Sequence, residues 1–98
     1  MFRDPPAHYV AVEGDVDTMR VFTAAGIGFH ARGYTGQTIL RLAILYGDKE
    51  MLEYLLGQER GRRIIHVRGN YGDTPPGIAV YTDKREMVER LVEFGAKS

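Results

Sequence analysis

The sequence predicts an all-α fold, a solenoid of three helix-turn-helix repeats joined by β-hairpin-like loops, and three observations carry that expectation. Phe29-His30-Ala31-Arg32-Gly33-Tyr34-Thr35-Gly36-Gln37-Thr38 is echoed 36 positions later by Ile65-His66-Val67-Arg68-Gly69-Asn70-Tyr71-Gly72-Asp73-Thr74. Val10-Ala11-Val12-Glu13-Gly14-Asp15 recurs after 33 positions as Ala43-Ile44-Leu45-Tyr46-Gly47-Asp48. Between the echoes, apolar residues fall at helical spacing, as at Met51, Leu52, Leu55 and Leu56. Self-similarity at this period signals stacked supersecondary units. At 98 residues a single globular core would be marginal, whereas stacked units bury their faces against one another.

In the first unit, Pro5-Pro6 opens a helix carrying His8, Val10 and Ala11, and Gly14 ends it. Asp15 then caps a second helix with Met19 and Phe22 inward, while Thr18 and Thr23 stand where the other units place apolar residues. In the second unit, Thr38 caps a helix of Ile39, Leu40, Leu42, Ala43 and Ile44 that Gly47 closes. Asp48 caps the next helix, with Met51, Leu52, Leu55 and Leu56 buried and Lys49, Glu50 and Glu53 toward solvent. In the third, Thr74-Pro75 opens a helix through Ile78, Ala79 and Val80, expected to be weaker or shorter because Pro76 and Gly77 are poor helix formers. Asp83 with Glu86 reads as a capping box before Met87, Val88, Leu91 and Val92. The connections at 29–36 and 65–72 read as hairpin-like turns, with Gly33 and Gly69 expected at positive φ. Residues 57–63 make the second connection longer and read as a surface loop insertion.

These residues resemble the ankyrin repeat along essentially the whole chain. The matches are Gly36-Gln37-Thr38, Leu40, Leu42-Ala43, Gly47, Glu50 and Leu55-Leu56 in the second unit, and Gly72-Asp73-Thr74-Pro75, Ala79, Glu86, Leu91 and Gly95-Ala96 in the third. The first unit matches at Pro6, His8, Gly14, Gly26 and Ala31. The resemblance implies a single domain over 1–98, with repeats at about 3–35, 36–71 and 72–98. The family's helix-opening His stands only at His8, becoming Arg41 and Gly77, so part of its hydrogen bonding between turns is expected to be lost. The family's usual Asn and Asp at the hairpin are replaced by His30 and His66, and by Gly33 and Gly69.

Chemistry that would mark an enzyme is missing from the sequence. There is no Cys, the only Ser is Ser98, and no hydroxyl has a base placed by a readable motif. Gly26-Ile27-Gly28 lacks the third glycine of a dinucleotide fingerprint, and Asp15-Val16-Asp17 lacks the tail of a calcium loop. His30 and His66, in successive repeats roughly 10 Å apart, are too distant to share a zinc ion. No cofactor and no metal are expected. With 13 acidic and 13 basic residues there is no global field toward nucleic acid, and the local run Arg60, Arg62, Arg63 and Arg68 reads first as a solvated loop. No apolar run reaches the roughly 20 residues of a membrane helix, and the lack of cysteine fits a reducing, intracellular compartment, cytoplasmic or nuclear.

The resemblance implies a non-catalytic module that holds a protein partner along a concave strip of hairpin tips and exposed first-helix residues. Mapped here, the hairpin positions are Arg32, Tyr34, Thr35 and Gln37, then Arg68, Asn70, Tyr71 and Asp73. The helix positions are Val12 and Glu13, Leu45 and Tyr46, then Tyr81 and Thr82. Tyr and Arg are the usual interface anchors, which favours Tyr34, Tyr46, Tyr71, Tyr81, Arg32 and Arg68. The alternative is a structural or regulatory segment of a larger enzyme or signalling protein, with no partner of its own. The last helix is as apolar as an internal one, so further repeats or end-to-end self-association are expected to cover it.

Overall fold

A computed structural model describes residues 5–29, 31–33, 36–46 and 49–95. Seven helices are found among them, and no strand: α1 (Pro6–Glu13), α2 (Val16–Ala24), α3 (Ile39–Leu45), α4 (Lys49–Leu56), α5 (Glu59–Arg63), α6 (Pro75–Tyr81) and α7 (Arg85–Glu93). The pairs α1/α2, α3/α4 and α6/α7 are the three units. Helices α1, α3 and α6 lie side by side in one layer, and α2, α4 and α7 in the other. The core runs continuously between the layers: Ala7, Ala11, Met19, Ile39, Leu40, Ile44, Met51, Leu52, Leu55, Leu56, Ala79 and Leu91 are fully buried. The expected inward faces pack in the first two units, whereas in the third Ile78, Ala79, Met87 and Leu91 are buried but Val80 and Val92 are exposed.

Helix starts and stops follow the expected chemistry in five places. Pro6 occupies the first turn of α1, and Gly14 closes that helix in the left-handed conformation. Asp15 accepts the Thr18 N–H at 3.1 Å, and Thr38 and Thr74 likewise accept the N–H of Arg41 and Gly77. Thr18 donates its own hydroxyl to Asp15 at 2.6 Å, and Thr23 bonds the Tyr54 hydroxyl at 2.7 Å across to the second unit. Both threonines of the first unit are thus accounted for by hydrogen bonds. Gly47 and Asp48, the expected stop and cap of the second unit, lie outside the described residues, as do His30, Tyr34, Thr35 and Ala96.

Four local expectations are corrected. Residues 57–63 are not a loop: Glu59–Arg63 forms α5, with Glu59 in its first turn and Arg60, Arg62 and Arg63 in its last, in the sense the helix dipole favours. Gly61 of this helix faces the backbone of α4, where a β-carbon would overlap the Leu55 carbonyl. Asp83 is not the cap of α7. It adopts φ 58° at the register of Gly14, closing α6 through its N–H on the Val80 carbonyl, and Lys84 is the N-cap residue, without a side-chain bond to the N–H groups of α7. The positive φ angles of the turns fall on Gly36 (76°) and Gly72 (85°) rather than on Gly33 and Gly69. Finally, α6 is seven residues long, the same as α3, so Pro76 and Gly77 do not shorten it. Proline is harmless in a first turn because no intrahelical acceptor awaits its missing N–H.

Candidate partner-binding surface

The two turns are copies of each other in their bonding. Gly33 N–H donates to the Gln37 carbonyl and Gly69 N–H to that of Asp73, both at 2.8 Å, while Gly36 and Gly72 close back on Gly33 and Gly69. An arginine braces each turn: Arg32 Nε donates to the Gly36 carbonyl at 2.6 Å, and Arg68 Nη1 to the Gly72 carbonyl at 2.9 Å. Arg32 also donates through Nη2 to the Arg68 carbonyl at 2.5 Å, tying one turn to the next. Asn70 packs so closely over Gly36 that any β-carbon there would overlap its side chain. Arg32, Arg68 and Asn70, expected along the partner strip, thus also hold the scaffold together.

The same holds for Gln37 and Asp73. His8, fully buried, donates Nε2–H to the Gln37 carbonyl at 2.8 Å, linking the first unit to the second; a carbonyl can only accept, so that nitrogen carries the proton. The bond expected to be lost where Arg41 replaces this histidine is replaced rather than missing. Arg41 donates Nη1 to Gln37 Oε1 at 2.5 Å and Nη2 to Asp73 Oδ2 at 2.7 Å, so a longer side chain spans the second and third units. His66 repeats the plan on the other side, its Nε2 donating to the Gly95 carbonyl at 3.0 Å.

Three tyrosines remain free. Tyr46, Tyr71 and Tyr81 are 63%, 85% and 88% exposed, and their hydroxyls form no hydrogen bond among the described residues. Val12 and Glu13 are exposed near the end of α1, Leu45 is half-buried, and Thr82 returns its hydroxyl to the Ile78 carbonyl at 2.8 Å. Sequence reasoning missed Tyr9, which is 53% exposed. Its signal was present: Tyr9, Val12 and Glu13 stand at i, i+3 and i+4 on one helical face.

The other layer carries the charge pairing. Arg20 lies over the Tyr54 ring at 4.9 Å, and Arg90 forks onto Glu53, with Nη2 to Oε1 at 2.7 Å, while also meeting Glu93. Hydrogen bonding from Arg90 holds the Glu53 carboxyl below its ordinary range, and the same bonds raise the guanidinium. The basic run is mostly engaged: Arg62 donates to the Leu56 carbonyl at 3.0 Å, Arg63 pairs with Glu59 at 2.9 Å, and Arg68 braces its turn. Among the described residues, no cluster of His, Cys, Asp or Glu could hold a metal ion, and no helix is long and apolar enough to cross a membrane.

Three helix pairs in two layers, joined by matching turns with exposed aromatic residues alongside, define a helical-repeat protein of the interaction class. The chain belongs to the ankyrin-repeat family: the family described as ankyrin repeats (3 copies) matches residues 7–98. It is 27% identical over 89 residues, 91% of its length, to serine/threonine-protein kinase 12 of Arabidopsis thaliana. It is 33% identical over 54 residues, 55% of its length, to the probable E3 ubiquitin-protein ligase XBOS32 of Oryza sativa subsp. japonica. The aligned segments span 19% and 11% of those two proteins. Ankyrin repeats are, as a class, non-catalytic protein-interaction modules.

Proposed function

We propose that this chain is one interaction domain, with repeats at about 3–35, 36–71 and 72–98, that holds a protein partner along its turn tips and the exposed side of α1, α3 and α6. The observation that carries this reading is the exposure of Tyr46, Tyr71 and Tyr81, whose hydroxyls have no hydrogen-bond partner among the described residues. Each offers a large apolar ring and an unused hydroxyl, the combination that anchors interfaces at low cost in side-chain entropy. Tyr34, Thr35, Leu45 and Thr82 border these anchors in the repeat register, while Arg32, Arg68, Gln37, Asn70 and Asp73 shape the ledge on which the anchors stand.

The competing reading, a spacer within a larger enzyme or signalling protein, draws on the named functions of the two relatives. Affinity capture separates the two. The immobilised chain is expected to retain a stoichiometric protein that a Tyr46→Ala/Tyr71→Ala/Tyr81→Ala variant of equal thermal stability releases, each tyrosine contributing about 1 kcal/mol or more. Equal retention by both chains would remove this surface from consideration, and retention by neither would favour the spacer.

A further inference from the structure

The free side of α6 and α7 repeats a surface that is covered elsewhere in the same molecule. Ile44, Leu52 and Leu56 of the second unit are fully buried, and 36 residues further on their equivalents are Val80, Val88 and Val92. Val80 is 64% and Val92 46% exposed, Val88 is half-buried, and Val80 and Val88 border an open groove of about 340 Å³. Two of the three apolar positions therefore change from covered to exposed and the third to half-covered, and what differs is the helix pair that follows them.

The junction between the second and third units states what such a pair must bring. Lys84 sends Nζ to the carbonyls of Ile44 at 2.5 Å and Leu45 at 3.3 Å, at the negative end of α3. Arg90 forks onto Glu53. On the free side the equivalent acceptors are the carbonyls of Val80 and Tyr81 and the carboxylate of Glu89, which forms no ion pair among the described residues.

We propose that this face receives a further helix pair of the same repeat type, apolar toward Val80, Val88 and Val92 and basic at the registers of Lys84 and Arg90. A second copy of this chain does not meet that description. Its first unit has Asp15 at the register of Lys84 and Val21 at that of Arg90. It would set a carboxylate against the carbonyl end of α6 and a valine against Glu89. This inference concerns a different face from the tyrosine surface and stands independently of it.

The test appends a second copy of residues 63–98 after Ser98, which keeps the 36-residue spacing and supplies Lys84 and Arg90 again at the required registers. In thermal unfolding followed by circular dichroism, the extended chain is expected to melt in one transition, about 5 °C or more above the 98-residue chain. Val80→Glu, and separately Glu89→Lys in the first copy, should remove most of that rise while moving the 98-residue chain by no more than about 2 °C. A separate low transition, no rise, or a rise that survives both substitutions would overturn the proposal. So would sedimentation of the 98-residue chain as an oligomer that Val80→Glu returns to monomer, which would give the face to a second copy.

Discussion

Replacing Arg41 by alanine is expected to destabilise the fold by about 2 kcal/mol, the order for a charge-assisted hydrogen bond whose remaining partner stays sheltered. An exposed ion pair would contribute only about 0.2–1 kcal/mol. Arg41 and Asp73 are both half-buried, however, and Asp73 Oδ1 already lacks a partner, so the substitution leaves both carboxylate oxygens unsatisfied. Gln37 Oε1 loses its donor as well. Asp73→Ala removes the same bond from the other side, so the double variant should be little worse than Arg41→Ala alone, giving a coupling of about 1 kcal/mol or more. Urea unfolding of the four chains measures it. A coupling below about 0.3 kcal/mol, the range of independent sites, would refute the claim that this pair joins the units. Arg41→His provides a further arm. The Gln37 carbonyl accepts both Gly33 N–H and His8, and the Asp73 carbonyl accepts Gly69 N–H with a second lone pair to spare. Histidine at position 41 should therefore recover about half of the loss, in line with one ordinary hydrogen bond.

Three further outcomes follow from local geometry. Gly61→Ala should cost about 2 kcal/mol, because the new methyl group meets the Leu55 carbonyl and forces α5 away from α4; an unchanged urea midpoint would show that α5 is not seated there. Asp83→Gly should stabilise by about 0.5–1 kcal/mol by relieving a left-handed backbone in a residue with a β-carbon, and a loss of stability would contradict that account. Because the Glu53 carboxyl titrates lower when folded than when unfolded, its contribution is complete above the ordinary glutamate range of about 4.3 and is lost as pH falls through the folded value. The urea midpoint should therefore decline below about pH 5, and less steeply in Glu53→Gln; parallel profiles would dismiss the Glu53–Arg90 pair as a source of acid sensitivity.

Most of the architecture could be read from the chain because its cues are local and repeated. Thr38 and Thr74 announce helix starts through their own hydroxyls, and the stripes at Met51–Leu56 and Met87–Leu91 need only helical spacing to show their buried side. What escaped depends on contacts between units. Nothing within Glu59-Arg60-Gly61-Arg62-Arg63 reveals a helix, since it has no apolar period; it is held by charge alignment, by Arg62 on the Leu56 carbonyl and by the absence of a side chain at Gly61. Asp83 and Glu86 show the spacing of a capping box, but Lys84 reaches back to α3 and Asp83 takes the place of a glycine. On the candidate surface, Tyr46, Tyr71 and Tyr81 are exposed as their repeat positions suggested and Tyr9 escaped notice, whereas the arginines are indistinguishable by type from free ones. Only the structure joins Arg32 and Arg68 to backbone carbonyls.

Those carbonyls have a consequence for how the surface can diversify. The acceptors of Arg32 and Arg68 are main-chain oxygens of Gly36, Arg68 and Gly72, which persist whatever side chain projects beside them. Tyr71 sits on a tip whose shape is set without it. If the proposed surface is the one used, exchanging that residue rewrites what the ledge recognises while the brackets beneath it stay fastened, so selectivity drifts on a support that does not.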